Sequence, residues 1–469
     1  MRRREDPRLI TGRGRYAADN HPDRLAHMAV VRAGQPRARV VHVDLEAART
    51  MPGVLGVWTA ADLDLATNAM PEGMSLPGGL RRRPLLAADS VHYAGDGVAV
   101  VAADTEYQAR DAVATCLGLQ PSQVVALADD VGGSFGAKNS PYPEYILAAA
   151  LARSLGRPVS WVATRTEDGH TTGQAHGAEL DLEIAADADG CLRGVRGRAT
   201  MDVGAYLGRG SIQAGNYSSH LVSAYRLPAL ALDVEPRFST GPPAAHIRGG
   251  GRPVGNFGIE RMMDRLARRL GIEPAELRRR NLIQPADMPY DTGMPVQVYD
   301  GGDYPRLLEL ATDRIQVPEV RRRQAAGEPI GLGLAMCVES TGIAMAEPSR
   351  VRVLPDATAL VMVGSTPQGQ GHQTFIPQVV ADRLGWDPAL IEVRLGDSRH
   401  VSFSAVTAGS RSALELGNSV ALSAASARRA LLDKAAELLE ADAADLRCGG
   451  NVSLAPRGRP TSRPCRSAR

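Results

Sequence analysis

A chain of 469 residues, 44% of them apolar, is long enough for two to four domains with packed cores, which excludes a disordered protein. Its formal net charge of +2 sets up no global field that would collect nucleic acid or an anionic membrane surface.

Residues 1–113 read as a small α/β module, with strands over 40–44, 54–58 and 98–102 and helices over 45–51 and 106–113. The stretch 68–79, rich in Gly, Pro and Met, is a surface loop. After an abrupt join at 113–117, a strand over 123–128 feeds Asp130-Val131-Gly132-Gly133-Ser134-Phe135-Gly136-Ala137-Lys138, a glycine loop. A helix follows over 144–155, with Leu147, Leu151 and Leu155 on one face and Gly156 as its stop. Strands over 159–163, 179–185 and 192–199 alternate with turns, and Asp189-Gly190 marks a hairpin.

Ile247-Arg248-Gly249-Gly250-Gly251-Arg252-Pro253 is a second glycine loop, before a helix on which Ile259, Met263, Leu266 and Leu270 are in phase. Pro274 opens another helix over 275–282. The polar connection 284–330 holds one helix over 304–326, and a strand-rich section begins at Ile330. A buried strand over 359–363 runs into GSTPQGQGHQT, residues 364–374, and a helix over 375–384 leaves it. A strand over 391–395 precedes Thr407-Ala408-Gly409-Ser410-Arg411-Ser412 and a long helix whose period persists to Glu440. The last stretch, 455–469, is a Pro/Arg/Ser tail without apolar pattern.

Each of the four loops taken alone is as well read as a tight turn, because glycine clusters serve turns. Together they present Ser134, Arg248, Arg252, Gln368, Gln370, His372, Thr407, Ser410, Arg411 and Ser412, which is rich in donors and free of carboxylates. Backbone amides at helix N-termini add further donors. Such a set suits a large polyanionic or highly polar organic ligand. It is not a P-loop, since no Gly-Lys-Ser/Thr occurs, and no loop has the GxGxxG spacing of a dinucleotide fingerprint.

The chain resembles the large, molybdopterin-binding subunit of the xanthine dehydrogenase and aldehyde oxidase family, the molybdenum hydroxylases. The resemblance is carried by DPRLITGRGRYAAD, MPGVLGVWTAADL, VGGSFGAK with YPEYILAAALARSLGRPVSW, IRGGGRPVGNFGIERMMDRLARRLG with ELRRRNLI, QGQGH and TAGSRS, in the family's order and over nearly the whole chain. It implies an α+β chain: a hammerhead-like α/β domain (1–113), a first molybdopterin-binding domain (114–328), a second (329–455), and a disordered tail (456–469). It also implies cofactor contacts from Gly133, Ser134, Phe135 and Gly136, from Arg248 and Gly249, from Gln368, Gly369, Gln370, Gly371 and His372, and from Thr407, Gly409, Ser410, Arg411 and Ser412. The implied cofactor is molybdenum–molybdopterin in its cytosine dinucleotide form. The implied activity is hydroxylation of aldehydes or N-heterocycles with water as oxygen source, with an iron–sulfur small subunit and an FAD-binding medium subunit as partners in an oligomer.

Two departures set up the alternative, a catalytically inactive fragment or pseudo-subunit acting as a pterin-binding or assembly module. The family's base glutamate lies in a GxGE loop that this sequence lacks, so no catalytic base is assigned. A family segment that includes a glutamine near the metal is missing at 113–117, and the tail 457–469 reads as translation past a lesion. Where the carbon monoxide dehydrogenases of the family carry a cysteine after the arginine, Gly249 stands here, so that chemistry is not expected.

The remaining residues are read as structural. Cys116, Cys191, Cys337, Cys448 and Cys465 are too scattered for a metal knuckle or a disulfide framework, so a reducing compartment is expected. No apolar stretch approaches the roughly 20 residues of a membrane span, and no apolar core follows Arg2-Arg3-Arg4, so the cytoplasm is expected. Cys337 is expected in a buried strand, Trp58 and Trp161 in cores, and Arg321-Arg322-Arg323 and Glu328 in solvent. His372 is expected as a hydrogen-bonding loop residue, and no protein side chain is assigned to the metal.

Overall fold

The computed structural model describes residues 2–63, 65–70, 82–102, 127, 130–138, 140–208, 210, 213–294, 297–342, 345–401, 403–405 and 407–449, with the backbone of 452–454 and 460–464. The expected helix over 106–113, the join at 113–117 and most of the 68–79 loop lie outside them. Of the expected strand over 123–128, Leu127 is described, and it bridges Asp397.

The N-terminal part opens with the short helix α1 (Asp6–Ile10), followed by β1 (Ala26–His27), β2 (Ala29–Arg32), β3 (Val57–Trp58) and β4 (Gly97–Val101). Strands β2 and β3 flank β4, both antiparallel to it. The strand expected over 40–44 does not form; pairing falls at Ala38–Arg39 instead, and Val41 is left 84% exposed. Its alternation had no second apolar face to pack on. Helix α2 (Pro143–Leu155) lies on this sheet, and Ile146, Leu147 and Leu151 share one core with Met28, Leu86 and Val100. Strand β5 (Val159–Ser160) then pairs in parallel with β1. The first core therefore draws on both sides of residue 113.

Two units of one topology follow. In the first, β6 (Ala178–Ala186) and β7 (Leu192–Gly204) form a hairpin. Helix α3 (Gln213–Leu221) crosses to β8 (Leu230–Phe238), parallel to β7, and α4 (Arg252–Leu270) and α5 (Pro274–Asn281) come after. Where one helix was expected over 304–326 there are two, α6 (Tyr304–Arg314) and α7 (Val317–Ala325). The break falls where Gln316 takes a left-handed φ of 53° and Pro318 enters the first turn of α7. The second unit repeats the plan, with β9 (Ser349–Val353) antiparallel to β10 (Ala359–Val363). Helix α8 (His372–Leu384) crosses to β11 (Ile391–Leu395), parallel to β10, and α9 (Gly417–Leu439) follows. All five residues of β10 are buried, as a central strand covered on both faces requires.

The section from Ile330, expected to be strand-rich, runs to 348 without a strand among its described residues. Cys337 is accordingly exposed rather than buried in one. At the chain's end β12 (Arg447–Gly449), β13 (Val452–Leu454) and β14 (Pro460–Pro464) form an antiparallel sheet. A patternless tail was expected over part of it; ladder hydrogen bonds join backbones and need no apolar period. Among the described residues no helix is long and apolar enough to cross a membrane.

Candidate cofactor cradle

Three of the four loops occupy equivalent places. The 364–371 loop leaves the carboxyl end of β10, the 396–411 stretch leaves that of its parallel neighbour β11, and 239–251 leaves that of β8. Carboxyl ends of neighbouring parallel strands are where open α/β sheets take ligands. The 130–136 loop reaches the same region from the amino-terminal side of α2. Its contacts join the others: the Arg248 amide donates to the Phe135 carbonyl at 2.7 Å, and Ser134 Oγ donates to Gln368 Oε1 at 3.3 Å. The Arg248 guanidinium stands 5.8 Å from the Phe135 ring centroid, within cation–π range. Ser365 and Thr407 hydroxyls, 3.3 Å apart, tie the 364–371 loop to the 407–411 turn. The four loops are thus joined in pairs, through Phe135 and Arg248, Ser134 and Gln368, and Ser365 and Thr407.

What these loops share is their main chain. Among the described residues, the amides of Gly133, Ser134, Phe135, Gly136, Gly249, Gly251, Gly369, Gln370, Gly371, Gly409 and Ser410 donate to no acceptor. Left-handed backbone recurs along them, at Gly133, Phe135 and Gly136, at Gly249 and Gly251, at Gly369 and Gly371, and at Gly409 and Ser410. Successive amides in such turns form anion-binding concavities. For Phe135 (φ 50°) and Ser410 (φ 56°) that conformation costs about 1 kcal/mol each. Gly136 has no substitute: at φ 99° an added Cβ would lie 1.7 Å from the His246 carbonyl oxygen.

Side chains depart from the sequence expectation in three ways. Arg411 is buried, and its guanidinium turns inward: Nη1 donates to Glu347 Oε2 at 2.6 Å, Nη2 to the Met345 carbonyl at 2.9 Å, and Nε to Glu415. A buried cation requires such counter-charges, so Arg411 is not presented to a ligand. His372 is fully buried, edge-on to Phe375 at 5.3 Å, and neither ring nitrogen has a hydrogen-bond partner among the described residues. Burial pushes its pKa down to about 4, with Glu5 pulling weakly the other way, so the imidazole is neutral and lies behind the loop. Gln370 folds its side-chain carbonyl onto the Gln368 amide, so it shapes the loop it was expected to extend. Phe135, by contrast, is 64% exposed, and Arg248 is exposed beside it.

Carboxylates from outside that residue set stand beside the loops. Glu347 accepts from Arg411, from Ser404 Oγ at 2.6 Å and from the Ala405 amide at 3.2 Å. Glu339 pairs with Arg252 at 2.9 Å; burial raises its pKa against the pull of that arginine. Glu5 accepts from Thr374 Oγ1 at 2.6 Å, while Arg3 donates to the Gly369 carbonyl at 3.1 Å. Asp130 accepts from Arg8 at 2.7 Å and from the Arg15 amide at 2.7 Å, and the Arg8 hydrogen bond holds its carboxyl below the usual range. Arg3 and Arg4 thus act as bolts: Arg4 reaches the Ile391 carbonyl at 3.1 Å. No local signal pairs Glu347 with Arg411, which lie 64 residues apart. Among the described residues no group of three or more His, Cys, Asp or Glu is placed to hold a metal ion.

Comparison with known proteins bears directly on this cradle. The profile of the aldehyde oxidase and xanthine dehydrogenase a/b hammerhead domain matches residues 11–116. Two profiles of the molybdopterin cofactor-binding domain match residues 91–282 and 309–467. The nicotine 6-hydroxylase large subunit of Paenarthrobacter nicotinovorans is 28% identical, over 95% of this chain and 69% of that protein. That match spans 567 positions against the 469 residues here, so the relative carries residues within the matched span that this chain lacks. The carbon monoxide dehydrogenase large chain of Hydrogenophaga pseudoflava is 27% identical, over 94% of this chain and 72% of that one. The crystal structure of quinoline 2-oxidoreductase from Pseudomonas putida 86 shares the fold, with a TM-score of 0.90 at 24% identity over 97% of this chain and 73% of that one.

Proposed function

We propose, because this chain belongs to the xanthine dehydrogenase and aldehyde oxidase family of molybdopterin-binding large subunits, that the four linked loops hold the phosphate-bearing pterin of a molybdenum cofactor. The observation that carries this reading is the set of amides without acceptors on turns that touch one another. They fit a polyanion: peptide N–H groups supply the donors, and Arg248 supplies the exposed cation beside them. Gly133–Gly136 and Gly249 would meet one part of the group, Gln368–Gly371 the pterin and its phosphate, and Thr407, Gly409, Ser410 and Ser412 the remainder; a cytosine dinucleotide tail is the form we assign. When bound, this group supplies oxidation of a carbon centre with water as the oxygen source. The chain's own part is to position the group and to keep the loops pre-formed.

We assign aldehydes or N-heterocycles as the substrate class, and iron–sulfur and FAD subunits as the partners that carry electrons away from an oligomeric complex. Sparse, scattered cysteines, with Cys191 and Cys337 in no disulfide, support a cytoplasmic setting. A second reading is favoured by one observation. The acids described beside the loops are already engaged: Glu5 with Thr374, Asp130 with Arg8, Glu339 with Arg252, Glu347 and Glu415 with Arg411, and Asp397 with Arg399. With no general base to assign, the chain would bind the cofactor without turning over a substrate. Co-expression with small and medium subunits, followed by molybdenum analysis by mass spectrometry and an assay of aldehyde-dependent dye reduction, separates the cases. Stoichiometric molybdenum with dye reduction supports the hydroxylase; molybdenum without it supports the binding module; absence of metal refutes both.

A further inference from the structure

Residues 334–347 carry no helix or strand among those described, yet they are anchored at both ends. Beside α4, the Leu334 carbonyl accepts from Arg278 Nη2 at 2.8 Å and the Met336 carbonyl from Ser223 Oγ at 3.0 Å. Glu339 then pairs at 2.9 Å with Arg252, the first residue of α4. Beside the 407–411 turn, the Gly342 amide donates to the Gly409 carbonyl at 2.8 Å, the Met345 carbonyl accepts from Arg411 at 2.9 Å, and Glu347 takes the same guanidinium at 2.6 Å. The two ends match. Each arginine follows left-handed residues, Gly249–Gly251 on one side and Gly409 and Ser410 on the other. Each stands where a long helical run begins, and each turn before it holds amides without acceptors.

We propose that the described connector residues, 334–342 and 345–347, fix the spacing of the 246–251 and 407–411 turns through Glu339 and Glu347, which are positioning residues for the anionic cofactor. The inference rests on the proposed cofactor reading. Amides aimed at one anion from two lobes serve it only if both sets stay within about 0.5 Å of the productive geometry. A short stretch that grips the root of both turns supplies that constraint more directly than the surrounding cores, since each core belongs to one lobe. The same two carboxylates neutralise Arg252 and Arg411, so neither guanidinium adds an unfixed cation to the rim.

The test uses the full chain co-expressed with its subunits, in two variants. Glu339→Ala alters a half-exposed residue and leaves the fold intact. Glu347→Leu with Arg411→Met removes the buried ion pair, but it also takes the acceptor from Ser404 and the Ala405 amide and the arginine from Glu415, so its unfolding temperature falls. Glu339→Ala is expected to unfold at an unchanged temperature, and in both variants molybdenum per chain falls roughly tenfold, the size of effect seen when an outer partner of a metal site is removed. Hydrogen exchange of the cofactor-free chain gives a second readout: Glu339→Ala speeds exchange at 249–251 and also at 409–410. Unchanged molybdenum in both variants overturns the inference, and so does faster exchange confined to the turn beside the altered residue. An unaltered chain without molybdenum overturns the cofactor reading instead, and exchange at both turns or at one still decides for or against the coupling.

Discussion

Gly136 and His372 show how single residues set the cradle. Gly136→Ala forces a methyl group into the His246 carbonyl at a left-handed φ, so the 130–136 and 246–251 loops must part. The expected loss is about 2 kcal/mol, read as a lowered urea midpoint, with loss of bound molybdenum as a second readout. His372 has a folded-state pKa of about 4 against an ordinary 6.5, because burial disfavours its charged form. The unfolded chain therefore binds the extra proton first, and stability falls as pH drops from 6.5 to about 4, then levels off below both values. The contribution lost is up to about 3 kcal/mol. His372→Leu removes it, so the variant's urea midpoint should change less between pH 7 and pH 4.5 than that of the unaltered chain. Sequence named both residues as cofactor contacts but did not give the packing of either, and nothing in QGQGH says that the histidine turns its back on the loop.

At the scale of elements, patterns that complete themselves locally were legible, and those that depend on a distant partner were not. Helices α2, α4, α8 and α9 follow from apolar spacing, the first three ending at a glycine, and β10 follows from an unbroken apolar run. Strand β8 alternates half-buried and exposed positions over most of its length, but Pro236 interrupts the signal, and sequence analysis does not assign it. The connector had no periodicity to give, because its role lies in carbonyls and two acids. One helix reaches into it: Arg278 of α5 is fully buried, pairs with Glu260 at 2.8 Å, and supports the Leu334 carbonyl. Arg278→Met would leave the Glu260 carboxylate uncompensated in the core. The expected loss of about 3–5 kcal/mol, measured by urea unfolding, would come with faster proteolysis across 330–342.

For the whole molecule, motif order sufficed to name the family and its α+β plan, while the pairing of loops more than a hundred residues apart needed coordinates. The segment ahead of β1 illustrates the difference. Sequence offers DPRL as a motif; the structure shows Arg8 clasping Asp130 and Glu5 clasping Thr374, so residues 3–15 bind two cradle loops at once. Asp130→Asn should weaken that clasp and speed tryptic cleavage at the exposed Arg13 and Arg15 several-fold, with little change in the cleavage of α9. Cleavage at an unchanged rate would show that the clasp does not hold the segment.

The amides without acceptors carry a consequence for how such a protein changes over time. Peptide bonds are common to every residue type, so a rim that grips through them can exchange its decorations and retune its fit to a new guest without dismantling the grip. Drift is then tolerated more readily at the rim's side chains than at the handful of glycines whose shape the grip depends on.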